Sequence, residues 1–392
     1  MLKTIVAKNT GGGLKRLYAC TRLRQARGDF REPSLARSLA RTRAATTMAE
    51  AGNVLVLKRV RRGAQDALGG LDSADPAVPS ELACGDGRLP VLDVETARGE
   101  QLPSFDLKAF EGHLLSQGSG EAEGGWTVLA GRQVASTQRV LEENAKALPR
   151  NTVVVADTQT QGKGRAGNAW VSPEGCLMCS VYCHVAMEGR KLPLLQYATT
   201  LAVVESLEAL RGPAPAEGRA NFASIKWPND IYVRGTKVGG VLCQTVYRGS
   251  GAFQLIAGIG VNVDNDEPTF CVNQVLRELG EREIAREELL ALMLPRLLRF
   301  YRIIAEESFA PLLRDYYGFW LHSGQKLKVK GDASVRGDTA GSEEHKDVVV
   351  TGLSDDGFLL AEDENRAVME LYPDGNSLDL MSGLVFKKKS RS

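Results

Sequence analysis

The chain has 392 residues, 43% of them hydrophobic, with 49 Lys plus Arg against 48 Asp plus Glu and a net charge of +1. That length suggests two domains, or three with an extension, and the hydrophobic share supports a sizeable core. The near-neutral total argues against a globally basic nucleic-acid binder, and no apolar run reaches the ~18 residues of a membrane span.

The total hides a split. Residues 1–49 carry 11 Lys and Arg against Asp29 and Glu32, a surplus of nine positive charges, so the remainder carries −8. Residues 1–47 are rich in Arg, Ala, Leu, Ser and Thr and have no secretory apolar region. They read as an organelle transit peptide for a plastid or mitochondrion, the alternative being a plain basic tail. Met48 follows directly and offers a second start, hence a cytosolic form. Seven cysteines, an odd and ordinary number, argue against a disulfide scaffold.

Residues 48–125 are poorly patterned. Asn53–Val60 fits one strand and Phe105–Leu115 a helix, while the Gly-, Ser- and Glu-rich run Ser116–Gly125 reads as a linker. The signals sharpen from residue 126. Ser136-Thr137, ahead of Val140 and Leu141, reads as a helix start with a hydroxyl cap. Thr152–Ala156 is a β-branched run typical of a buried strand.

Next comes Gly162-Lys163-Gly164-Arg165-Ala166-Gly167-Asn168-Ala169-Trp170. It contains G-x-G-x-x-G, but five polar residues separate it from the strand and Trp170-Val171-Ser172-Pro173 is no helix start. A dinucleotide loop and a G-x-x-x-x-G-K-[ST] phosphate loop are both excluded. Two readings remain. One is a flexible loop bringing Lys163 and Arg165 to an anion while Trp170 covers a flat ring. The other is a surface hairpin with a structural Trp.

Cys176, Cys179 and Cys183 suggest metal or redox chemistry. Alternation instead puts Leu177, Cys179, Val181, Cys183 and Val185 on one strand face, with Met178, Ser180, Tyr182 and His184 on the other. No second ligand pair stands at zinc spacing, so no metal site is expected. Leu192–Leu210 has helical periodicity, with Gln196, Thr199, Thr200, Glu205 and Glu208 among its apolar residues. Ile225–Val233 reads as a strand, yet Lys226-Trp227-Pro228-Asn229-Asp230 inside it breaks strand rules in succession, which points to function. Thr236–Thr245 and Gln254–Val263 read as strands, and Glu287–Phe319 as mainly helical.

Four motifs in this order, Gly162–Trp170, Lys226–Asp230, Lys237-Val238-Gly239-Gly240 and Gly258-Ile259-Gly260-Val261-Asn262, resemble the biotin protein ligase family in its eukaryotic, plant- and algal-like form. The resemblance runs from about Trp126 to the C-terminus. It implies an α+β fold: a central mixed β-sheet with packed helices, like class II synthetases, in 126–321, and a small SH3-like β-barrel with a basic tail in 322–392. It also implies a two-step reaction. Biotin and Mg-ATP give biotinyl-5′-adenylate and pyrophosphate, then a lysine of a carrier domain takes the biotinyl group and releases AMP. The expected substrates and cofactors are therefore biotin, ATP and Mg2+. The expected partners are carrier domains of biotin-dependent carboxylases such as acetyl-CoA carboxylase, with the enzyme a monomer.

Carried over residue by residue, the family pattern makes Arg165, Lys226, Lys237 and Asp230 catalytic. Two anions must meet in the first step, so fixed cations belong there, and Asp230 would orient or deprotonate the incoming amine. Biotin would be held by Ser136, Thr137, Gln159, Gly162, Lys163, Gly164, Arg165, Lys226, Gly239 and Gly240. The nucleotide would be held by Arg165, Trp170, Asn229, Lys237 and Asn262. Lys163 stands where the family usually has a second arginine, which turns a bidentate contact into a point charge. Gln138 stands where Asn or another polar residue is common. The helix-turn-helix of the bacterial repressor-ligases is not visible. The alternatives are a lipoate or octanoate ligase on the related fold and a non-catalytic biotin-binding regulator.

From Gln325 onward, short strands (Gln325–Lys330, Val348–Leu353, Phe358–Asp363, Ala367–Leu371) alternate with the turns Asp355-Asp356-Gly357 and Pro373-Asp374-Gly375. Lys387-Lys388-Lys389 reads as a solvated end.

Overall fold

The computed structural model describes residues 54–60, 76–117, 125–212, 221–266, 269–330, 345–372, 376–379 and 384–387. The leader, Met48, the Pro373-Asp374-Gly375 turn and Lys388-Lys389 lie outside these residues.

Ten strands form one mixed sheet: β1 (Leu55–Val60), β2 (Glu81–Cys84), β3 (Gly87–Asp93), β4 (Trp126–Val134), β5 (Thr152–Gln159), β6 (Leu177–Ala186), β7 (Ala223–Lys226), β8 (Asp230–Val233), β9 (Thr236–Gly249) and β10 (Ala252–Val261). Their order is β2-β3-β1-β4-β5-β6-β10-β9-β8-β7. The pairs β1–β3 and β4–β5 are parallel and the others antiparallel. Three strands from the weakly patterned region before residue 126, β1, β2 and β3, thus belong to the main sheet, with β1 paired to β4 from Leu55↔Gly131 to Val60↔Trp126. Alternation in β1 is hard to read because both its faces are covered. Neighbours Leu55 and Val56 are both fully buried, one in each of two cores.

Among the described residues six α-helices flank the sheet: α1 (Leu107–Ser116), α2 (Thr137–Asn144), α3 (Leu192–Arg211), α4 (Val272–Leu279), α5 (Arg286–Glu306) and α6 (Ala310–Phe319). The larger core joins α1, α3 and α5 to Val153 and Val155 of β5 and to Leu177, Cys179, Val181 and Cys183 of β6. The smaller core, on the other face, joins Val140 and Leu141 of α2 to Val154, Tyr182 and Ile256. Each fully buried Val or Leu contributes roughly 1.5–3 kcal/mol of transfer free energy. The alternation expected for β6 therefore holds. Burial pushes the Cys176, Cys179, Cys183 and Cys243 thiols up to about 12, so they stay protonated core groups rather than thiolate ligands. No described helix is long and apolar enough to cross a membrane.

Two local expectations change. The single strand at Ile225–Val233 is two short strands, β7 and β8, because Trp227, Pro228 and Asn229 form a turn containing a cis Trp227–Pro228 peptide. The residues that break strand rules also break the strand. At α2, Ser136 is the N-cap but its hydroxyl caps no helix amide.

The C-terminal unit is a six-stranded, mainly antiparallel sheet. It comprises β11 (Lys326–Lys330), β12 (His345–Leu353), β13 (Leu359–Asp363), β14 (Val368–Leu371), β15 (Asn376–Asp379) and β16 (Leu384–Lys387), in the order β14-β13-β12-β11-β16-β15. The last two strands carry no clear alternation and were not expected. The sheet seats on α3 and α6. Tyr197 Oη donates to Gly357 O at 2.7 Å, and Leu353 N donates to Tyr317 Oη at 2.9 Å. Gly357 has φ +86, and a Cβ there would lie 2.6 Å from the Tyr197 ring, so only glycine fits.

His322 links this unit to the Lys226–Asp230 turn. The ring is 1% exposed; Nε2 accepts from Trp227 N–H at 3.0 Å and Nδ1 lies 2.7 Å from Gln325 Oε1. An acceptor at Nε2 and a donor at Nδ1 require the neutral ring. Burial lowers its pKa below the ordinary 6.5; Gln325 raises it and the charge of Lys226 lowers it. Because the folded pKa is the lower one, the unfolded chain binds the proton first as pH falls. The stabilising contribution is present above about pH 6.5 and is lost below it. Thermal unfolding of wild type and His322→Gln from about pH 7.5 to about pH 5.5 tests this. Wild type is expected to lose its advantage on acidification, and parallel curves would count against the assignment.

Candidate functional site

The site follows from side-chain alternation across β6, β10, β9 and β8. One rung runs Met178↔Gly260↔Gly240↔Asp230, and the next Ser180↔Gly258↔Leu242, all on the face opposite the larger core. Three glycines on adjacent strands leave a trough. A Cβ on Gly260 would lie 2.9 Å from the Trp170 indole, and one on Gly258 would lie 2.6 Å from Gln138 Oε1. Helix α2 and the glycine-rich loop close over this trough to form a cavity of about 500 Å³.

The loop is an ordered hairpin. Trp170 N donates to Gly162 O at 2.9 Å and Gly164 N to Asn168 O at 2.8 Å, and Arg165–Gly167 makes one 3-10 turn. A Cβ on Gly162 would lie 2.5 Å from Trp170 O, so the hairpin closes only on glycine. Trp170 folds back over the trough and donates from Nε1 to Met178 Sδ at 3.2 Å. Both sequence readings of the loop thus describe part of it: it is a hairpin with a packed Trp, and it lines a cavity.

One end of the cavity is charged. Arg165, Lys237 and Asp230 line it, while Lys163 lines the cavity within the field of Glu142 on α2. Lys237 Nζ lies 2.6 Å from Asp230 Oδ1 and 5.7 Å from the Trp170 ring centroid. Arg165 Nη1 donates to Asn229 Oδ1 at 3.2 Å, while Asn229 is held to β9 by Nδ2 donating to Val241 O at 2.9 Å. The other end is neutral and polar. Thr137 N donates to Gln159 Oε1 at 2.8 Å, Gln159 Nε2 donates to Ser172 Oγ at 3.0 Å, and the Thr137 and Ser180 hydroxyls are 2.9 Å apart. The cations at one end suit an anion, and the amides and hydroxyls at the other suit a neutral polar head.

Of the residues singled out from the sequence, Ser136, Thr137, Gln159, Lys163, Gly164, Arg165, Trp170, Asn229, Asp230, Lys237 and Gly240 line this cavity. Gly162, Lys226, Gly239 and Asn262 do not. Gly162 and Gly239 act through shape: a Cβ on Gly239 would lie 2.8 Å from Gly260 O, within the β9–β10 pairing. Lys226 is paired with Asp230 across the β7–β8 turn, its Nζ 5.8 Å from the Tyr232 ring centroid. Asn262 is 4% exposed and is occupied by Phe270 O and the Cys176 thiol. Sequence reasoning passed over Gln138, Met178 and Ser180 as site residues. The available signal was the polar face of β6 and the Gly258/Gly260 spacing of two, which marks an open strand face.

Residues 130–262 match the Biotin/lipoate A/B protein ligase family. Biotin--protein ligase 2 of Arabidopsis thaliana is 38% identical over 260 residues, covering 65% of this chain and 75% of that protein. Biotin--protein ligase 1, chloroplastic, of the same plant is 37% identical over 289 residues, covering 73% and 74%. Among solved structures, biotin protein ligase from Aquifex aeolicus in complex with biotin and ATP is 27% identical, with a TM-score of 0.47. That match covers 67% of this chain and 99% of that one.

Proposed function

The chain belongs to the biotin protein ligase family, and from that premise we propose that it is an ATP-dependent, AMP-forming biotin–protein ligase in which this one cavity serves both half-reactions. The observation that carries this reading is the division of the cavity, with Thr137, Gln159 and Ser180 joined at a neutral end and Arg165 and Lys237 gathered on Asn229 and Asp230 at a charged one.

Biotin lies with its cyclic urea at the neutral end and its carboxylate at the charged end. A carboxylate oxygen attacks the α-phosphorus of ATP, the bond to the bridging oxygen breaks, and pyrophosphate leaves with the electron pair. Arg165 and Lys237 offset the negative charge that gathers there. Trp170 and the hairpin exclude water from the mixed anhydride. A carrier lysine amine then attacks the acyl carbon and AMP departs; Asp230 is the carboxylate placed to orient that amine or take its proton.

Magnesium is commonly held by phosphate oxygens and one or two carboxylates. Among the described residues the one acid lining the cavity, Asp230, is paired with Lys237 at 2.6 Å, so a magnesium ion would arrive with the nucleotide, held chiefly by its phosphate oxygens, and would neutralise part of the triphosphate charge. Among the described residues no group of three or more His, Cys, Asp or Glu is placed to hold a metal by itself.

The acceptors are biotin carrier domains of biotin-dependent carboxylases. The basic composition of residues 1–47 and the chloroplastic name of one relative support a plastid destination.

Incubation of the chain with ATP, biotin and an apo biotin-carrier domain should increase the carrier mass by one biotinyl group and release one AMP. Lipoyl or octanoyl transfer in place of biotinyl transfer would redirect the substrate assignment. Biotin binding without AMP would make the chain a sensor.

A further inference from the structure

Gln138 lines the cavity beside Thr137 and is 8% exposed. Its carboxamide lies among partners that fix its orientation. One terminal atom is 3.2 Å from the carbonyl oxygen of Ile256 and 2.6 Å from Gln244 Oε1. The Ile256 carbonyl can only accept, so that atom is the amide nitrogen. Gln244 keeps its own oxygen toward Gln138 because its side chain bonds Glu142. Both protons of the Gln138 amide are therefore committed, and Gln138 Oε1 points at Ser180 Oγ, 3.1 Å away.

The polarity then propagates. Ser180 is fully buried, and its one proton goes to Gln138 Oε1, since a carboxamide oxygen cannot donate. Ser180 Oγ is left as an acceptor for the Thr137 hydroxyl at 2.9 Å. Gln159 Oε1 is a second, more distant acceptor for that hydroxyl at 3.2 Å and already accepts from the Thr137 backbone N–H at 2.8 Å, so the nearer Ser180 Oγ takes the proton. With its proton spent on Ser180, Thr137 Oγ1 offers lone pairs to the cavity. Gly258 belongs to the same device, because a Cβ there would strike Gln138 Oε1.

We infer that Gln138 and Ser180 are specificity-determining positioning residues: a one-way hydrogen-bond relay from the Ile256 carbonyl fixes Thr137 as an acceptor, so this end of the cavity selects a head group that presents an N–H donor, as a cyclic urea does. The inference rests on the ligase reading and deepens it. A head group with only acceptors, such as a carbonyl or a dithiolane, meets lone pair against lone pair. Neither residue touches the reacting atoms, so the relay governs binding of the head group and not the chemistry at the carboxylate.

The test uses the full chain and compares wild type, Gln138→Met, Ser180→Ala and the double variant in biotin-dependent pyrophosphate release and in calorimetric binding of biotin. Each single variant is expected to raise KM and Kd for biotin about tenfold, the scale of one hydrogen bond lost from a buried network. KM for ATP and kcat at saturating biotin should stay within about twofold, because only ground- and transition-state binding of the head group is lost in equal measure. The double variant should be no worse than the poorer single one, since a relay broken twice is broken once. Unchanged biotin affinity in both single variants, additive losses, or a parallel rise in KM for ATP would overturn the relay. If Gln138→Met fails to fold, Ser180→Ala, which removes one oxygen, decides alone. A wild-type chain that binds biotin but releases no pyrophosphate overturns the ligase reading, and the calorimetric comparison then still decides the relay.

Discussion

Arg165→Ala is expected to slow biotin adenylation by roughly 100-fold or more, the scale for losing one preorganised donor at a centre of developing charge. The side chain leaves a 3-10 turn within a hairpin closed by backbone bonds, and its Nη1 is held on Asn229, which is itself bonded to β9. A fork held in this way loses little entropy when it meets two anions, and it can bridge the biotin carboxylate and the α-phosphate with separate N–H groups. Lysine offers one compact charge, so Arg165→Lys should recover only part of the rate. Pyrophosphate release with biotin and ATP measures the step. The thermal midpoint should shift little, because a half-buried loop residue carries little of the core. A full rate in Arg165→Ala would place the charge centre elsewhere in the cavity.

Lys237→Met should cost between about 10-fold and 100-fold in the same step, and its partner makes the loss diagnostic. Lys237 Nζ and Asp230 Oδ1 are 2.6 Å apart, with side chains 42% and 20% exposed. An ion pair this open adds only about 0–1 kcal/mol to stability, so folding alone does not account for it. Without Lys237, Asp230 keeps its negative charge where the triphosphate must lie, and the variant loses an attraction and gains a repulsion. Lys237→Met/Asp230→Asn should therefore adenylate faster than Lys237→Met, while transfer of a preformed adenylate to the carrier should be slower in the double variant if Asp230 serves the amine. A double variant slower than Lys237→Met in adenylation would show that the carboxylate assists the first step, against this assignment.

The comparison of sequence and structure divides along physical lines. Whatever depended on contiguous residues was legible: the buried run of β5, the alternation of β6, the long helix α3, the odd Lys226–Asp230 string and the glycine-rich loop. Alternation was enough to turn Cys179 and Cys183 from metal ligands into core residues, which their burial explains. The region before residue 126 was legible only in part. The strand and helix expected at Asn53–Val60 and Phe105–Leu115 are β1 and α1, whereas β2 and β3 were not expected, and that β1 buries Leu55 and Val56 in different cores follows from its partners and not from its own residues.

Within the site, the sequence by itself determined which residues bear charge and which loops have room for a ligand, because those are properties of residue type. It could not decide which of them converge. Lys226 and Asn262 sit in motifs as suggestive as those of Arg165 and Lys237, yet one lies beside Tyr232 and the other is occupied by Phe270 and Cys176. Facing alone did not make that choice: Lys226 pairs with Asp230 on the cavity's face of the sheet but lies one strand farther out, and Asn262 lies just past the end of β10. The packing of α2 on the sheet brought Gln138, Ser180 and Ile256, separated by up to 118 residues, into a single chain of hydrogen bonds. Hydrogen-bond direction depends on which atoms stand opposite one another, and only the folded sheet decides that.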